Sequence, residues 1–292
     1  MPTEMARYWR HDAVPGVDLL RARYVTHRYA RHSHETYTFG VIDSGVEEFE
    51  YHGELLRAGP GTVALINPEV VHTGQAAVPE GWSYRVLYPD VALVTGIAAE
   101  LGAPPGTPSF PQTVISDPAS AQLLRSAHLA AEHGDRLASS SLLRAALATV
   151  LSTHAQLARG AGGRPESRSR SSAAAVTAVA AARELLAGSL TGPPSLDELA
   201  AATGMGSFAL LRAFRDELGL PPHAYLNQLR VRLARQLLDA GQSPADVAVA
   251  AGFADQPHLT RHFKRAVGVP PGAYQRERGV ARTYKKAGPL GA

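Results

Sequence analysis

The feature that most restricts the fold of this chain is a repeat in its C-terminal third. Residues 219–225 (GLPPHAY) recur 49 positions later as residues 268–274 (GVPPGAY). Upstream, residues 199–205 align with residues 247–253 at an offset of 48. Each copy predicts the same unit, in which a short helix, a turn at a glycine and a second helix follow one another. The C-terminal third is therefore expected to be a helical domain built from two such units.

Local signals predict a helix-turn-helix in each copy. Ser195 with Glu198 forms the pattern of a capping box, and Ser243 followed by Pro244 places a cap and a first-turn proline before the second copy. In the second helix of each copy, large apolar residues recur at i and i+4, so the residues between them are expected to point outward. This outward set is Phe208, Leu211, Arg212 and Arg215 in the first unit, and Gln256, His258, Thr260, Arg261 and Lys264 in the second.

A helix from about Pro222 to Ala240 is predicted to join the two units. At about 1.5 Å per residue it is roughly 28 Å long. Recognition helices about 34 to 36 Å apart can enter successive major grooves on one face of DNA, and this connector suits that spacing. A helical repeat array is the alternative, but such arrays need about three repeats to be stable. Residues 195–292 hold 13 Lys and Arg against 8 Asp and Glu, which favours a polyanionic partner.

The most specific stretch is residues 251–265 (AGFADQPHLTRHFKR), followed by GVPP at residues 268–271. With the repeat around it, this stretch resembles the C-terminal DNA-binding domain of the AraC/XylS family of bacterial transcription regulators, over about a third of the chain. The resemblance implies two units that read adjacent major-groove segments of promoter DNA. It implies base-facing positions at Phe208, Leu211, Arg212, Gln256, Pro257, His258 and Arg261.

The first recognition helix departs from the usual polar surface of that family. Phe208 and Leu211 cannot hydrogen-bond a base edge, but they can contact thymine methyl groups while Arg212 reads a guanine. The second unit is expected to supply more of the hydrogen-bonded readout. A rival interpretation is that the helix-turn-helix units serve only protein contacts.

The N-terminal half has the pattern of an antiparallel barrel or jelly roll. Residues 18–90 contain short runs rich in Val, Ile, Tyr, Phe and Thr, separated by turn signals such as those at residues 43–45 and 59–61. From residue 117 to 157 the apolar residues switch to helical spacing, with a break near residues 133–135. The two helices predicted here either close the barrel or pair with a second copy of the chain.

Three histidines mark a candidate site in this half. His32 and His34 would share one face of a strand, and His72 could converge with them inside a barrel. Residues 59–72 resemble the cupin-like sensing domain that precedes the DNA-binding domain in AraC relatives. Metal enzymes of the cupin superfamily usually add an acid a few residues after the two histidines, where this chain has residues 37–39 (YTF). We therefore expect no metal or other cofactor, and the three histidines are the metal-ligand candidates if one binds, since neutral imidazoles bind zinc or iron.

Aromatic residues cluster around these histidines, either as core packing or as the lining of a pocket for a small organic effector. Under the second interpretation, the effector-binding residues are His32, His34, Tyr37, Phe39, His72, Trp82 and Tyr84.

These patterns predict an α+β chain of two domains, in which an N-terminal cupin-like antiparallel β-barrel with following helices precedes an all-α double helix-turn-helix. Its predicted parts are an effector-binding barrel (residues 1–115), a helical packing or dimerisation segment (116–158), a flexible linker (159–172), an AraC-type DNA-binding domain (173–284) and a tail (285–292). The chain has no cysteine, which excludes disulfides, thiolate zinc fingers and cysteine nucleophiles. The lack of a long apolar run and of a signal-peptide pattern predicts a soluble, cytoplasmic protein without membrane contact.

The predicted function is that of a non-enzymatic transcription regulator that binds promoter DNA and responds to a small-molecule effector. The middle helices are expected to form a homodimer, and RNA polymerase is the expected partner at the promoter. The resemblance favours an activator, because the family contains more of them. The alternative function is a cupin metalloprotein, either a metal sensor or an enzyme, with a helical tail.

Overall fold

The computed structural model describes residues 4–156 and 170–278. Within these ranges the chain forms an N-terminal domain of antiparallel sheets and a C-terminal helical domain, so the predicted α+β class is confirmed. No helix in either range is long and apolar enough to cross a membrane.

Two antiparallel sheets build the N-terminal domain, and together they are called the barrel here. The larger sheet has the strand order β1-β2-β9-β4-β7-β10 and the smaller β3-β8-β5-β6. The strands are β1 (Met5–Arg10), β2 (Val17–Tyr24), β3 (Tyr29–His32), β4 (Thr38–Gly45), β5 (Glu47–Tyr51), β6 (Glu54–Ala58), β7 (Val63–Ile66), β8 (His72–Ala76), β9 (Trp82–Pro89) and β10 (Val114–Ile115).

Both faces of the larger sheet are buried. Its inner face contributes residues such as Leu20, Ile42 and Val86 to the barrel interior, whereas Val41 and Leu87 belong to a second core on the outer face. Three helices cover that outer face: α1 (Val91–Glu100), α2 (Pro118–Glu132) and α3 (Arg136–His154). The apolar faces of α2 and α3 are therefore used within the chain, which favours the first of the two roles predicted for them.

Helix α1 was not predicted, because it lies between the strand pattern of residues 18–90 and the helical spacing that begins at residue 117. Asp90 caps it, with a carboxylate oxygen that accepts a hydrogen bond from the backbone N–H of Leu93 at 2.7 Å. The break predicted between the next two helices is confirmed, and Asp135 caps α3 in the same way through Ala138 at 2.9 Å.

The C-terminal domain consists of seven helices within the described residues. These are α4 (Arg170–Gly188), α5 (Leu196–Ala202), α6 (Ser207–Leu218), α7 (Pro222–Asp239), α8 (Pro244–Ala250), α9 (Gln256–Val267) and α10 (Pro271–Glu277). Helix α4 begins inside the predicted linker 159–172, whose residues 159–169 lie outside the described residues, as do residues 279–284 of the predicted DNA-binding domain and the predicted tail 285–292.

The two predicted helix-turn-helix units are α5–α6 and α8–α9. The second turn needs glycine, because Gly252 has φ +81° and an added Cβ would lie 2.3 Å from the carbonyl oxygen of Leu190. The 18 residues of α7 connect the units, as predicted, and span about 27 Å.

One continuous core joins the two domains. Barrel residues such as Leu20 and Tyr84 belong to the same buried cluster as Val231 of α7, Phe263 of α9 and Tyr274 of α10. The C-terminal domain therefore lies directly against one end of the barrel and covers the barrel interior at that end.

Candidate DNA-binding surface and effector cavity

Helix α9 has a polar face that is exposed and an apolar face that is buried. Leu259 and Phe263 are fully buried, whereas Gln256, Arg261 and Lys264 are exposed. Asp255 caps the helix through the backbone N–H of His258 at 2.6 Å, and Gly268 ends it in the left-handed conformation. Of the other predicted contact residues in this helix, Pro257 is exposed, and His258 and Thr260 are half-buried.

Helix α6 has the same arrangement, with Leu210 and Phe214 buried beneath exposed Arg212 and Arg215. Phe208 is 84% exposed and Leu211 is half-buried next to it. An aromatic ring at that exposure is costly in water, and a partner surface that covers it would remove this cost.

A barrel loop faces the outward side of α9. Thr26, His27 and Arg28 line one wall of a cleft of about 890 Å³, and residues of α9, Arg261 and Lys264 among them, line the other. A DNA duplex that lies along α9 would meet this loop.

The loop is held in place by Glu4. One of its carboxylate oxygens accepts hydrogen bonds from the backbone N–H groups of Val25 at 2.9 Å, Thr26 at 2.6 Å and His27 at 2.9 Å. Burial by itself would raise the pKa of Glu4, but these bonds hold it well below its usual value. The wall that faces α9 is thus a fixed part of the barrel.

The three predicted histidines converge at the end of the barrel that the C-terminal domain covers. The ring centroids of His32 and His72 are 4.4 Å apart, and that of His34 is 4.7 Å from His32 and 5.1 Å from His72. Burial lowers the pKa of His32 to about 3 and that of His72 to about 4, and burial also lowers the pKa of His34. The imidazoles are therefore neutral at pH 7.

These imidazoles could hold a divalent metal ion. Each offers a ligand nitrogen, and the three nitrogens lie within 4.8 Å of one another, the one such cluster found among the described residues. The Nδ1 atoms of His32 and His72 lie 2.8 Å and 3.0 Å from the carbonyl oxygens of Ala30 and Val70, which leaves Nε2 of each ring for another partner. Glu35, the acid next to His34 in sequence, instead forms an ion pair with Arg232 at 3.3 Å.

The histidines form one end of a cavity in the barrel interior, which offers about 30 Å³ to the centres of water-sized molecules. Of the predicted effector-binding residues, Tyr84 also lines it. Trp82 lies within the barrel core against Tyr24 and Tyr84 but does not line the cavity.

Tyr37 and Phe39 do not belong to this site. They lie on the outer side of the larger sheet, in the core beneath α1 to α3, where both rings contact Phe110. The prediction that these two residues bind the effector is therefore wrong, because they lie on the opposite face of the sheet from the cavity. Thr38 and Gly40, between and after them, line the cavity instead.

Glu47 is the main cavity residue that the sequence interpretation missed. It lies on β5, where Glu47, Phe49 and Tyr51 are buried while Glu48 and Glu50 are half-buried. Burial raises the pKa of the Glu47 carboxyl group to about 8. The alternation on β5 was the available signal, since a residue of the inward parity in a barrel strand faces the interior. Tyr29 and Thr38 are further lining residues that were missed.

A chain of tyrosine hydroxyl groups leads from this cavity to the end of α9. The hydroxyl of Tyr84 lies 2.9 Å from that of Tyr29, which in turn lies 3.4 Å from that of Tyr24. The Tyr24 hydroxyl donates a hydrogen bond to the carbonyl oxygen of Gly268 at 2.8 Å. Gly268 packs so closely here that an added Cβ would lie 2.4 Å from the Tyr29 hydroxyl oxygen.

A buried ion network centred on Asp18 also joins the domains. Asp18, on β2, is 4% exposed, and its carboxylate accepts from Arg235 of α7 and from Arg278 after α10, both at 2.7 Å. Tyr8 and Arg10 also donate to it, at 2.9 Å and 2.5 Å. Burial alone would raise the pKa of Asp18, but the arginines, Arg235 first, hold it below its usual value. Asp18 is therefore ionised, and it binds the C-terminal domain to the barrel.

Comparison with known proteins agrees with this two-part organisation. Residues 14–147 match the family model of the AraC-like ligand binding domain, and residues 199–277 match that of a helix-turn-helix domain. The uncharacterized HTH-type transcriptional regulator YbfI of Bacillus subtilis is 24% identical over 243 residues, which cover 83% of this chain and 86% of YbfI. The transcriptional activator NphR of Rhodococcus is 39% identical over 84 residues, which cover 28% of this chain and 25% of NphR.

Solved structures with the same fold include ToxT of Vibrio cholerae. A single-residue variant of ToxT in its apo form has a TM-score of 0.54 at 12% identity, and the likeness covers 94% of this chain and 96% of that one. Wild-type ToxT bound to an unsaturated fatty acid has a TM-score of 0.53 at 13% identity, over 96% and 98% of the two chains.

The structure has an antiparallel barrel followed by two helix-turn-helix units, and the family matches give a ligand-binding domain followed by a helix-turn-helix domain. The chain belongs to the AraC family of transcriptional regulators, with an AraC-like ligand-binding domain and a DNA-binding helix-turn-helix domain.

Proposed function

We propose that this regulator controls promoter binding through the docking of its DNA-binding domain on the barrel, and that a small effector in the barrel cavity shifts that docking. The observation that carries the proposal is the contact between the two sites. Tyr84 and Tyr29 line the cavity, and their hydroxyl groups are linked through Tyr24 to Gly268 at the end of α9.

In the docked arrangement the second recognition helix is restricted. The barrel loop of Thr26 to Arg28 stands across a cleft from Arg261 and Lys264. Close approach of a duplex to α9 requires the loop and the helix to separate. The docked form is therefore the form with low DNA affinity, and separation of the domains gives the form with high affinity.

An effector changes the output only if it binds one of these two arrangements better than the other. The cavity suits this purpose because its wall and the docking interface share residues. An occupant that displaces the Tyr29 or Tyr84 hydroxyl group disturbs the hydrogen bond that Tyr24 donates to Gly268. Binding of the effector in the cavity thereby weakens the docking of the DNA-binding domain on the barrel.

Base readout is assigned to the exposed faces of α6 and α9. Arg212 and Arg261 can each make a bidentate contact with a guanine, and Phe208 with Leu211 can pack on thymine methyl groups. Lys264 and Arg215 are charged positions suited to phosphate contacts. Pro257, Gln256, His258 and Thr260 complete the proposed interface.

The further parts of the proposal follow from this role. The protein is a regulator without catalytic activity, located in the cytoplasm with the promoter DNA that it binds. It acts as a homodimer and contacts RNA polymerase at the promoter. ToxT was solved with a fatty acid bound, which supports a small-molecule occupant for a barrel of this fold.

A binding titration on promoter fragments at several salt concentrations tests the DNA-binding part. Phosphate neutralisation predicts that the logarithm of the association constant falls linearly with the logarithm of salt concentration. A response that does not change with salt would instead support helix-turn-helix units that serve protein contacts only.

A metal sensor is the second candidate function, and the cluster of His32, His34 and His72 favours it. Metal analysis of the purified full-length protein separates the two candidates. A stoichiometric metal that is lost in His34→Ala would support the metal sensor, and a metal-free protein that binds promoter DNA normally would support the organic effector.

A further inference from the structure

We propose that the barrel cavity binds a small organic ammonium compound, with the Glu47 carboxylate as its counter-ion. This inference rests on the proposed function, because it names the chemical class of the effector for the same cavity. It depends on the missing hydrogen-bond partners of Glu47 and Thr38, on the space that the barrel leaves for the Glu47 carboxyl group, and on the charges of the residues that line the cavity.

Glu47 is a buried acid without a partner. It is 9% exposed, it lines the cavity, and no described residue forms a hydrogen bond or an ion pair with its carboxyl group. The one other buried acid among the described residues, Asp18, has such partners in Arg235 and Arg278. A buried acid with no partner is costly to keep, so its presence points to a ligand that compensates it.

Thr38 is a second polar group without a partner in the same cavity. Its side-chain oxygen is buried and has no hydrogen-bond partner among the described residues. A hydroxyl oxygen accepts hydrogen bonds, as a carboxylate does. The two groups together favour a ligand that donates hydrogen bonds, and an ammonium group carries such donors.

The barrel makes room for the carboxyl group at Gly74. A Cβ added to Gly74 would lie 3.1 Å from a carboxyl oxygen of Glu47 and 3.1 Å from the ring of Tyr29. A larger residue at this position of β8 would require the carboxyl group and the ring to shift by a few tenths of an ångström. Gly74 therefore leaves the space that the Glu47 carboxyl group occupies.

The residues around the cavity favour a cationic ligand over an anionic one. The residues that line this cavity include no lysine and no arginine. Burial keeps the Glu47 carboxyl group mostly protonated at pH 7 while the cavity is empty. A cation beside it favours loss of that proton to solvent, which gives the carboxylate that pairs with the ligand. An anionic ligand would find no lysine or arginine among the lining residues to pair with, and it would oppose ionisation of Glu47. Tyr29, Tyr84 and Tyr88 also line the cavity, and aromatic rings attract organic cations.

The size of the cavity limits the ligand. About 30 Å³ is open to the centres of water-sized molecules, which at about 10 to 15 Å³ each corresponds to two or three non-hydrogen atoms. Ethylammonium has three such atoms. A larger amine would have to widen the cavity, and this would act directly on Tyr29 and Tyr84.

Calorimetric titration of the full-length protein with ethylammonium chloride tests the proposal, with ethanol and sodium acetate as neutral and anionic probes of similar size. We expect wild type to bind ethylammonium and neither of the others. Glu47→Gln should lower that affinity about tenfold or more, since a charged partner is lost. Glu48→Gln is the matched control, because Glu48 is the neighbouring acid on β5 and its side chain pairs with Arg57 at the surface. This variant should bind ethylammonium as wild type does.

Thr38→Val is a second variant that keeps the size of the side chain, and it should weaken ethylammonium binding by a smaller factor. The proposal is overturned if ethylammonium binds no better than ethanol, if acetate binds better, or if Glu47→Gln binds as wild type does. Promoter titration of the same samples separates this inference from the proposed function. Normal DNA binding without any response to ethylammonium overturns the amine alone, whereas loss of DNA binding in wild type would overturn the proposed function.

Discussion

Replacement of Asp18 by asparagine is expected to raise the affinity of the regulator for promoter DNA. The carboxylate of Asp18 is buried between two domains and accepts from Arg235 and Arg278 at 2.7 Å each. An asparagine of the same shape has no charge and offers N–H donors to arginines that are themselves donors. The substitution therefore removes the charge that holds these two guanidinium groups against the barrel.

The size of the effect follows from the burial of the partners. Removal of one partner from a buried ion pair costs about 3 to 5 kcal/mol. Arg278 keeps Asp239 as a partner at 2.6 Å, so the lower end of that range, about 3 kcal/mol, applies here. If this loss falls on docking, the equilibrium between docked and separated domains shifts about 100-fold. The apparent DNA affinity rises by up to that factor until the separated form dominates.

Fluorescence anisotropy with a labelled promoter fragment at fixed salt measures this affinity. Asp12→Asn is the matched control, because it removes the same charge from an exposed position of the barrel. We expect tighter binding for Asp18→Asn and no change for Asp12→Asn. Equal affinities for wild type and both variants would show that the network does not restrain the DNA-binding domain.

Three further predictions concern separate parts of the molecule. Tyr24→Phe removes the hydrogen bond to Gly268, which is worth about 1 kcal/mol. Anisotropy should therefore show that the affinity for DNA rises by up to about fivefold. An unchanged affinity would show that the tyrosine chain does not contribute to docking. Arg261→Ala should cost about 1 to 3 kcal/mol on the specific site and less on scrambled DNA, and an equal loss on both would make Arg261 a phosphate contact. In thermal unfolding, the stability of the protein should fall as pH drops from 6.5 towards 4. The folded pKa values of His32 (about 3) and His72 (about 4) lie below the unfolded value, so the folded state binds fewer protons in this window. A stability that does not change between these pH values would contradict the burial of both residues as neutral imidazoles.

The C-terminal domain could be predicted from the sequence except for its first and last helices, α4 and α10. Its repeat, its caps at Ser195 and Ser243 and the i, i+4 spacing of Leu259 and Phe263 are local patterns, and each is present in the structure. Local patterns of this kind are reliable because the helix ends depend on residues a few positions apart.

The cavity was predicted only in part, and the error at Tyr37 and Phe39 has a physical cause. Alternation along a strand tells which residues share a face but not which face is the interior. In this barrel both faces of the larger sheet are buried, one of them beneath α1 to α3, so hydrophobicity does not distinguish them.

The contacts between the domains could not be predicted from local patterns. Asp18 and Arg235 are 217 positions apart, and Tyr24 and Gly268 are 244 positions apart. Glu47 was missed for a related reason, because it lies in an acidic run (EEFEY) that is typical of an exposed strand. Only the packing of the barrel makes it a buried acid.

The most direct test of the account locks the docked arrangement and measures DNA binding. The chain has no cysteine, so Arg28→Cys and Arg265→Cys together place one thiol on each wall of the cleft beside α9. A flexible bismaleimide joins the two walls, and the same variant capped with a monofunctional maleimide controls for the two lost arginines. If docking is the controlled step, the cross-linked protein loses promoter binding while the capped protein retains it. Equal promoter affinity of the two proteins would exclude docking as that step.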